Sequence, residues 1–140
     1  ALAAVDAVPV VLDSGATGFV LPGDDSLDDE PSAHWAALLP TLDPTTMGWR
    51  ERAFYVAPEL VPHLFDSNGN GGTTAWIDGR IVGCWVQDDE GRVRVIPCTP
   101  LSPAHTELLE AEAQRLTAFL DGVVISNVYK SRMMKGEPLP

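Results

Sequence analysis

The apolar and polar positions in the second half of the chain predict three consecutive β-strands. The segments are Thr73–Ile77, Arg80–Gln87 and Arg92–Ile96, each a short apolar run bounded by turn residues. Asp78 and Gly79 separate the first two, and this pair favours a tight hairpin because both residues tolerate positive φ. A polar turn precedes the third segment. The pattern therefore predicts an antiparallel meander.

After the third segment the apolar positions take a helical spacing. Ser102 is a suitable N-cap, Pro103 suits the first helical position, and Gly122 suits the position after a helix end. We expect a helix from Pro103 to Asp121 that packs on the sheet through one apolar stripe. The stripe consists of Leu109, Ala113, Leu116 and Leu120.

Two segments near the start are predicted to pair as a separate hairpin. Val5–Leu12 contains Pro9, which cannot donate a ladder hydrogen bond, so this segment is at best an edge strand. Thr17–Leu21 follows a Ser-Gly turn and is its expected partner. Ala1–Ala4 resembles the tail of a helix, and helix, strand, turn, strand is the order in which a winged helix ends. We therefore expect a piece of a longer protein.

The remaining segments show no clean period. Prolines predict short turns over Trp35–Val56, wrapped around buried apolar side chains. Pro58 is expected to open a short helix, which Pro62 limits to about two turns. A last strand is predicted over Val123–Val128. The side chains expected to be buried in the turn region are Trp35, Leu38, Leu39, Met47 and Phe54.

The charge balance argues against strong binding of nucleic acid by this chain alone. Nine Lys and Arg residues against 20 Asp and Glu residues give a net charge of −11 over 140 residues. Affinity for duplex DNA comes largely from neutralised phosphates. One acidic run is expected to be a solvated loop, with mimicry of phosphate charge as the alternative; it comprises Asp24, Asp25, Asp28, Asp29 and Glu30. No apolar run approaches the roughly 18 residues of a membrane span, and the expected location is cytoplasmic.

Neither a metal site nor a cofactor site is predicted. His34, His63 and His105 are scattered, with no pair at metal-ligand spacing. The run Asp66–Gly71 is similar to the first half of a calcium loop, but Ile77 occupies the twelfth position, where such a loop needs a bidentate glutamate. The run is therefore expected to be a turn in which side chains accept hydrogen bonds from backbone N–H groups. The two cysteines are too few for a disulfide framework and are expected to be free.

Three basic groups are candidates for contact with nucleic acid. The first lies within Trp49–Arg52 and another is the tail Lys130–Lys135. A hairpin loop with an even number of residues would place Trp85 beside Arg92 and Arg94, whereas a three-residue loop would shift the pairing by one. Aromatic stacking and positive charge suit DNA. A cation–π pair or ordinary surface charge is the alternative.

Two stretches of the chain resemble a known family. They are LLPTLDPTTMGWRER, Leu38–Arg52, and FDSNGNGGTTAWIDGRIVGCW, Phe65–Trp85. Together they resemble the C-terminal part of the winged-helix DNA-binding proteins related to the DNA glycosylases AlkZ and YcaQ, which act on alkylated and crosslinked DNA. The likeness covers about Trp35–Gly122, with looser matches at both ends. Its motifs are specific in combination and weak singly.

Pattern and resemblance together indicate an α+β fold. The expected architecture is a small antiparallel barrel-like sheet with one long C-terminal helix, preceded by the end, or wing, of a truncated winged helix. The expected domains are residues 1–22, the end of the winged-helix unit; residues 23–34, the acidic loop; and residues 35–140, the C-terminal α+β domain.

The resemblance implies a scaffold and DNA-contact domain of a DNA-repair glycosylase, reaching DNA as part of a full-length parent. The family's catalytic Gln-x-Gln or Gln-x-Asp motif belongs to its N-terminal part, so the matching letters at Gln87–Asp89 are not assigned a catalytic role. Activity of the parent, the lesion and the oligomeric state stay open. An interaction domain with no nucleic-acid role is the alternative. The candidate DNA contacts are Trp49, Arg50, Arg52, Asn68, Asn70, Arg80, Trp85, Arg92 and Arg94.

Overall fold

The computed structural model describes residues 1–24 and 33–139 of the chain. The chain divides into two compact units, Ala1–Ala33 and His34–Pro140. The predicted acidic loop falls mainly on residues 25–32, which lie outside the described residues, and the predicted domain boundaries stay a prediction. Among the helices that the structure describes, none combines the length and the apolar character needed to cross a membrane.

The first unit contains a short helix followed by a two-stranded hairpin. A 3₁₀ helix spans Leu2–Val5, and the strands are β1, Val8–Val11, and β2, Thr17–Val20. The strands run antiparallel, with Pro9 of β1 opposite Phe19 of β2. The predicted hairpin is confirmed. The assignment of this unit to a winged helix stays a prediction.

The second unit is built on a four-stranded antiparallel sheet. Its strands, in spatial order, are β3, Ala36–Leu39; β4, Thr74–Ile77; β5, Arg80–Gln87; and β6, Val93–Pro97. The predicted meander is confirmed, and the α+β class with it, whereas β3 was not predicted. The prediction of a barrel-like sheet is wrong, because β3 and β6 form opposite edges of the described sheet and do not pair. The C-terminal helix contacts both edge strands instead.

The turn between β4 and β5 lies at Asp78-Gly79, as predicted. Both residues have positive φ, 48° for Asp78 and 78° for Gly79, and Ile77 lies opposite Arg80. Two successive left-handed residues are what a tight two-residue hairpin turn requires. The prediction of this hairpin is confirmed.

The hairpin between β5 and β6 has a register that the sequence pattern did not settle. Its loop spans residues 88–92, an odd number, and places Trp85 opposite Val95. Gly91 takes a φ of +82° and closes this longer loop. Trp85 therefore shares a face with Val95 and packs towards the C-terminal helix. Of the two alternatives that the sequence left open, the odd-numbered loop forms, and Trp85 does not share a face with Arg92 and Arg94.

Three helical segments join or cover the sheet. Short helices follow β3, namely α1, Pro44–Met47, then a 3₁₀ turn at Pro58–Leu60 that leads into α2, Val61–Leu64. The long helix is α3, Pro103–Leu120. A further 3₁₀ turn spans Met133–Lys135. The short helix predicted after Pro58 and the long C-terminal helix are both confirmed.

The core lies on the two faces of the sheet. On one face α3 packs through Leu109 and Ala113, which are buried, with Leu116 and Leu120 partly buried; this is the predicted stripe. The other face is covered by the short helices and the C-terminal segment. The buried residues there are Tyr55, Val56, Leu64, Phe65, Trp76, Ile81, Cys84 and Met133.

The predicted strand at Val123–Val128 is absent from the described structure. The backbone of this segment is instead hydrogen-bonded to the side-chain amide of Gln87. Gln87 Nε2 donates to the carbonyl of Val123 at 3.0 Å, and the N–H of Ile125 donates to Gln87 Oε1 at 2.8 Å. The segment is β-branched and so has the composition of a strand, but it pairs with none of the described strands. Both polar atoms of the Gln87 amide are thereby bonded to the backbone of this segment.

The turn region before α2 is less buried than predicted. Trp35, Met47 and Phe54 are 45%, 37% and 63% exposed. Tyr55 is buried instead, with its ring 5.3 Å from that of Trp76. The prediction that these three side chains are buried is wrong, because a segment without a period gives no signal of which neighbour faces inward.

Candidate nucleic-acid interface

The loop Asp66–Asn70 is held by one carboxylate. Asp66 Oδ1 accepts hydrogen bonds from the N–H groups of Asn68 and Asn70 at 2.9 and 2.8 Å, and Oδ2 accepts from the side-chain amide of Asn70 at 2.8 Å. The Asn70 side chain, together with these N–H groups, lowers the pKa of Asp66. Gly69 turns the chain with a φ of +85°. The predicted side-chain-bonded turn is confirmed for Asp66.

This loop is attached to the segment around α1. Asp43 caps α1 by accepting from the N–H of Thr45 at 2.8 Å. Just before this cap, the N–H of Leu42 donates to the carbonyl of Gly71 at 3.0 Å, and the N–H of Gly71 donates to Met47 Sδ at 3.3 Å. The two family-like stretches of the sequence therefore lie side by side in the fold.

Arg52 braces the same two segments. Its Nη2 donates to the carbonyl of Thr46 at 3.4 Å and to that of Gly69 at 3.3 Å. The guanidinium carbon lies 4.4 Å from the centre of the Phe65 ring, within cation–π range. Arg52 is half-buried, so its charge fixes the loop and is only partly available to an external anion.

A groove of about 500 Å³ runs between α1 and the loop. Four of the predicted DNA contacts line it: Trp49, Arg50, Arg52 and Asn68. Trp49 is 62% exposed, and Arg50 and Asn68 are also exposed. The structure thus brings together two groups of candidates that are separate in the sequence. The remaining loop candidate, Asn70, is half-buried, and its amide is bonded to Asp66.

A second groove, of about 520 Å³, borders the other side of the same loop. The basic tail lines it through Lys130, Arg132 and Lys135, and both grooves share Asp66 and Ser67. Basic side chains from two distant segments therefore flank one loop. We call the two grooves and the loop between them the loop surface.

The other candidates lie away from the loop surface. Arg80 and Arg94 are exposed on β5 and β6 but line neither groove. Trp85 is 2% exposed, and its Nε1–H donates to the carbonyl of Leu39 at 2.8 Å. Its ring faces are therefore occupied by packing and are not available for stacking on a base.

Arg92 is held in a local ion pair at the β5–β6 turn. Its Nε lies 2.9 Å from Asp88 Oδ2, and a second nitrogen contacts Glu90. The side-chain hydrogen bond from Arg92 is the main reason that the pKa of Asp88 is lowered. A guanidinium neutralised by two carboxylates has little charge left for a phosphate.

Neither cysteine has the surroundings of a reactive thiol. Both are free; Cys84 is buried and Cys98 partly buried. Burial raises the pKa of Cys84 to about 12 and also raises that of Cys98. A thiol with a raised pKa is protonated at neutral pH and is a poor nucleophile.

The sequence pattern did not indicate that one group of polar side chains would come together. His34, Asp78 and His105 lie together in the second unit. The spacing of residues along the sequence could not reveal this group, because each member comes from a different segment of the chain. The Asp-Gly turn signal located one of the three and gave no sign of the other two.

Comparison with known proteins gives one family. The model of the DNA glycosylase AlkZ-like family matches residues 1–119 of the chain. No curated protein and no solved structure matches. The matched range includes both stretches that carry the resemblance, together with the N-terminal hairpin and all but the end of α3. The chain therefore belongs to the family of AlkZ-like DNA glycosylases.

Proposed function

We propose that this chain is a non-catalytic, DNA-contacting domain of an AlkZ-like DNA-repair glycosylase, and that the loop surface contacts the DNA. The observation that carries the proposal is the convergence of Trp49, Arg50 and Asn68 on one groove. A second basic cluster on the other side of the same loop supports it.

The side chains of the loop surface suit contact with a nucleic-acid backbone. Arg50 and Lys130 are exposed and provide positive charge on opposite sides of the loop. Contacts to phosphates position a protein on DNA without reading its sequence. Trp49 offers an exposed ring on which an unpaired base can stack. Recognition here is therefore of backbone and exposed bases.

In this proposal catalysis belongs to another part of the enzyme. The two thiols have raised pKa values, and the Gln87 amide is bonded to the backbone of residues 123 and 125. The acid-rich composition fits a domain that supplements binding by other parts, because −11 leaves few phosphates for the chain to neutralise alone.

An interaction domain with no nucleic-acid role is the second candidate, and the net charge of −11 is the observation that favours it. The two candidates differ at low salt. A DNA-contacting surface gives weak, salt-sensitive binding, whereas an interaction domain gives none.

Fluorescence anisotropy with a short labelled duplex tests the proposal. We expect weak binding in about 20 mM salt that is largely lost near physiological salt. Arg50→Ala should weaken binding and reduce the slope of log K against log salt by about 1, because one phosphate contact is removed. Arg94→Ala is the matched control, since Arg94 is also exposed but lines neither groove.

Equal effects of the two substitutions would contradict the placement of the interface. No binding by the unmodified chain even in about 20 mM salt would favour the interaction domain. Removal of a damaged base by the chain alone would contradict the non-catalytic assignment.

A further inference from the structure

Three side chains that the proposed function does not use form a cluster of metal-ligating type. One ligand atom from each of His34, Asp78 and His105 lies within 4.8 Å of those of the other two. His34 Nδ1 lies 2.6 Å from Asp78 Oδ2. The His34 and His105 rings stand edge to face, with centres 5.4 Å apart and planes at 73°.

Backbone hydrogen bonds hold Asp78, His105 and the neighbour of His34 in this cluster. Asp78 occupies the first of the two left-handed positions of the β4–β5 turn, and its Oδ1 accepts from the N–H of Trp35 at 3.0 Å. In return, the N–H of Asp78 donates to the carbonyl of Trp35 at 3.2 Å. His105 lies in the first turn of α3, where its N–H donates to Ser102 Oγ at 3.1 Å. Asp78 and His105 are therefore held by a turn and a helix, and His34 is placed beside them through its neighbour Trp35.

We propose that His34, Asp78 and His105 bind a divalent transition-metal ion, with Zn²⁺ as the best-fitting ion. Two imidazole nitrogens and one carboxylate oxygen form a donor set that zinc accepts, with the fourth tetrahedral position open to water. Mg²⁺ and Ca²⁺ prefer donor sets made entirely of oxygen. The site is open to solvent, because His34 and Asp78 side chains are 68% and 39% exposed.

The bound ion would link three parts of the second unit: the segment that leads into β3, the β4–β5 turn and the start of α3. A ligand that binds only the folded state stabilises it. Zinc should therefore raise the melting temperature of the chain. The competing view is that Asp78 and His34 form a simple ion pair that fixes the turn and binds no metal. The inference does not depend on the proposed function.

Long-range proton–nitrogen NMR of the imidazoles tests the proposal on the unmodified chain. The chain has three histidines, and His63, which is buried and outside the cluster, is an internal control. On titration with ZnCl₂ we expect one nitrogen of His34 and one of His105 to change together and saturate at one equivalent. His63 should stay unchanged, and MgCl₂ should have no effect.

Two conservative variants test the individual ligands. Asp78→Asn keeps the turn, because Asn also tolerates positive φ and its carbonyl oxygen can still accept from Trp35. His105→Gln keeps a helix-compatible side chain. Each should weaken zinc binding by more than about tenfold, since even the loss of a residue that only orients a ligand costs 10–100-fold.

Unchanged His34 and His105 signals at millimolar zinc would overturn the proposal. So would an equal response of His63, or wild-type zinc affinity in either variant. An increase in melting temperature with zinc that is lost in His105→Gln would support it.

Discussion

Asp66 organises the loop that separates the two grooves. Its two oxygens accept three hydrogen bonds from Asn68 and Asn70, and these bonds are stronger to the ionised carboxylate than to the neutral acid. The pKa of Asp66 is therefore lowered in the folded protein, mainly by the Asn70 side chain. This contribution to stability is complete above the unfolded-state pKa and is lost as the pH falls through the lower folded-state pKa.

Asn70→Ala should raise the pKa of Asp66 towards its ordinary value, because it removes the side-chain hydrogen bond that contributes most to the lowered pKa. A carboxyl-carbon NMR titration measures this directly. Asn68→Ala is the matched control, since it keeps the Asn68 backbone N–H that bonds to Asp66. If both substitutions shift the pKa equally, the Asn70 amide is not the main cause of the lowered value.

At the scale of elements, α3 and the sheet stabilise each other through a narrow apolar contact. Leu109 is 2% exposed and packs with Ala75 and Ile77 of β4. Phe119, ten residues further along the same helix, is 77% exposed. The helix therefore offers a buried and an exposed large apolar residue for direct comparison.

Leu109→Ala should lower the free energy of unfolding by about 2–5 kcal/mol, because it removes buried methyl groups and leaves a cavity. Phe119→Ala, on the exposed side of the same helix, should change it by no more than about 0.5 kcal/mol. Reversible urea denaturation measures both. A loss below about 1 kcal/mol for Leu109→Ala would show that the stripe does not pack on the sheet.

Elements with strong local signals were predictable, and those that depend on distant partners were not. Ser102, Pro103 and Gly122 delimited α3, and Asp78-Gly79 fixed the first turn of the meander. The strand Ala36–Leu39 was missed because four apolar residues without alternation carry no period, and it becomes a strand by pairing with β4. The register of β5 and β6 depends on a five-residue loop, which the pattern of apolar residues does not specify.

The candidate site was predictable only in pieces. Trp49–Arg52 and Asn68 were identified separately, and their meeting in one groove depends on the contacts of Gly71 and Arg52 with the α1 segment. One of the candidate DNA contacts, Trp85, is buried and does not belong to this surface. The meeting of His34 and His105 could not be predicted, because it requires the segment before β3 and the start of α3 to come together at the β4–β5 turn.

Across the whole molecule, an acidic total coexists with a basic local surface. The chain carries −11, yet Arg50, Arg52 and the Lys130–Lys135 tail border one loop. Charges are screened beyond about 10 Å at 0.1 M salt, so a local cluster can act independently of distant acids. Binding through it should nevertheless be weak, because few phosphates are neutralised.

Amide NMR of the ¹⁵N-labelled chain, titrated with a short DNA duplex in about 20 mM salt, tests the central claim most directly. The account predicts that shift changes concentrate at residues 47–52, 66–70 and 130–135, on both sides of the loop, and fade as salt is added. Changes centred instead on the β5–β6 turn, or DNA binding without changes in these three ranges, would contradict the assignment of the loop surface as the DNA interface.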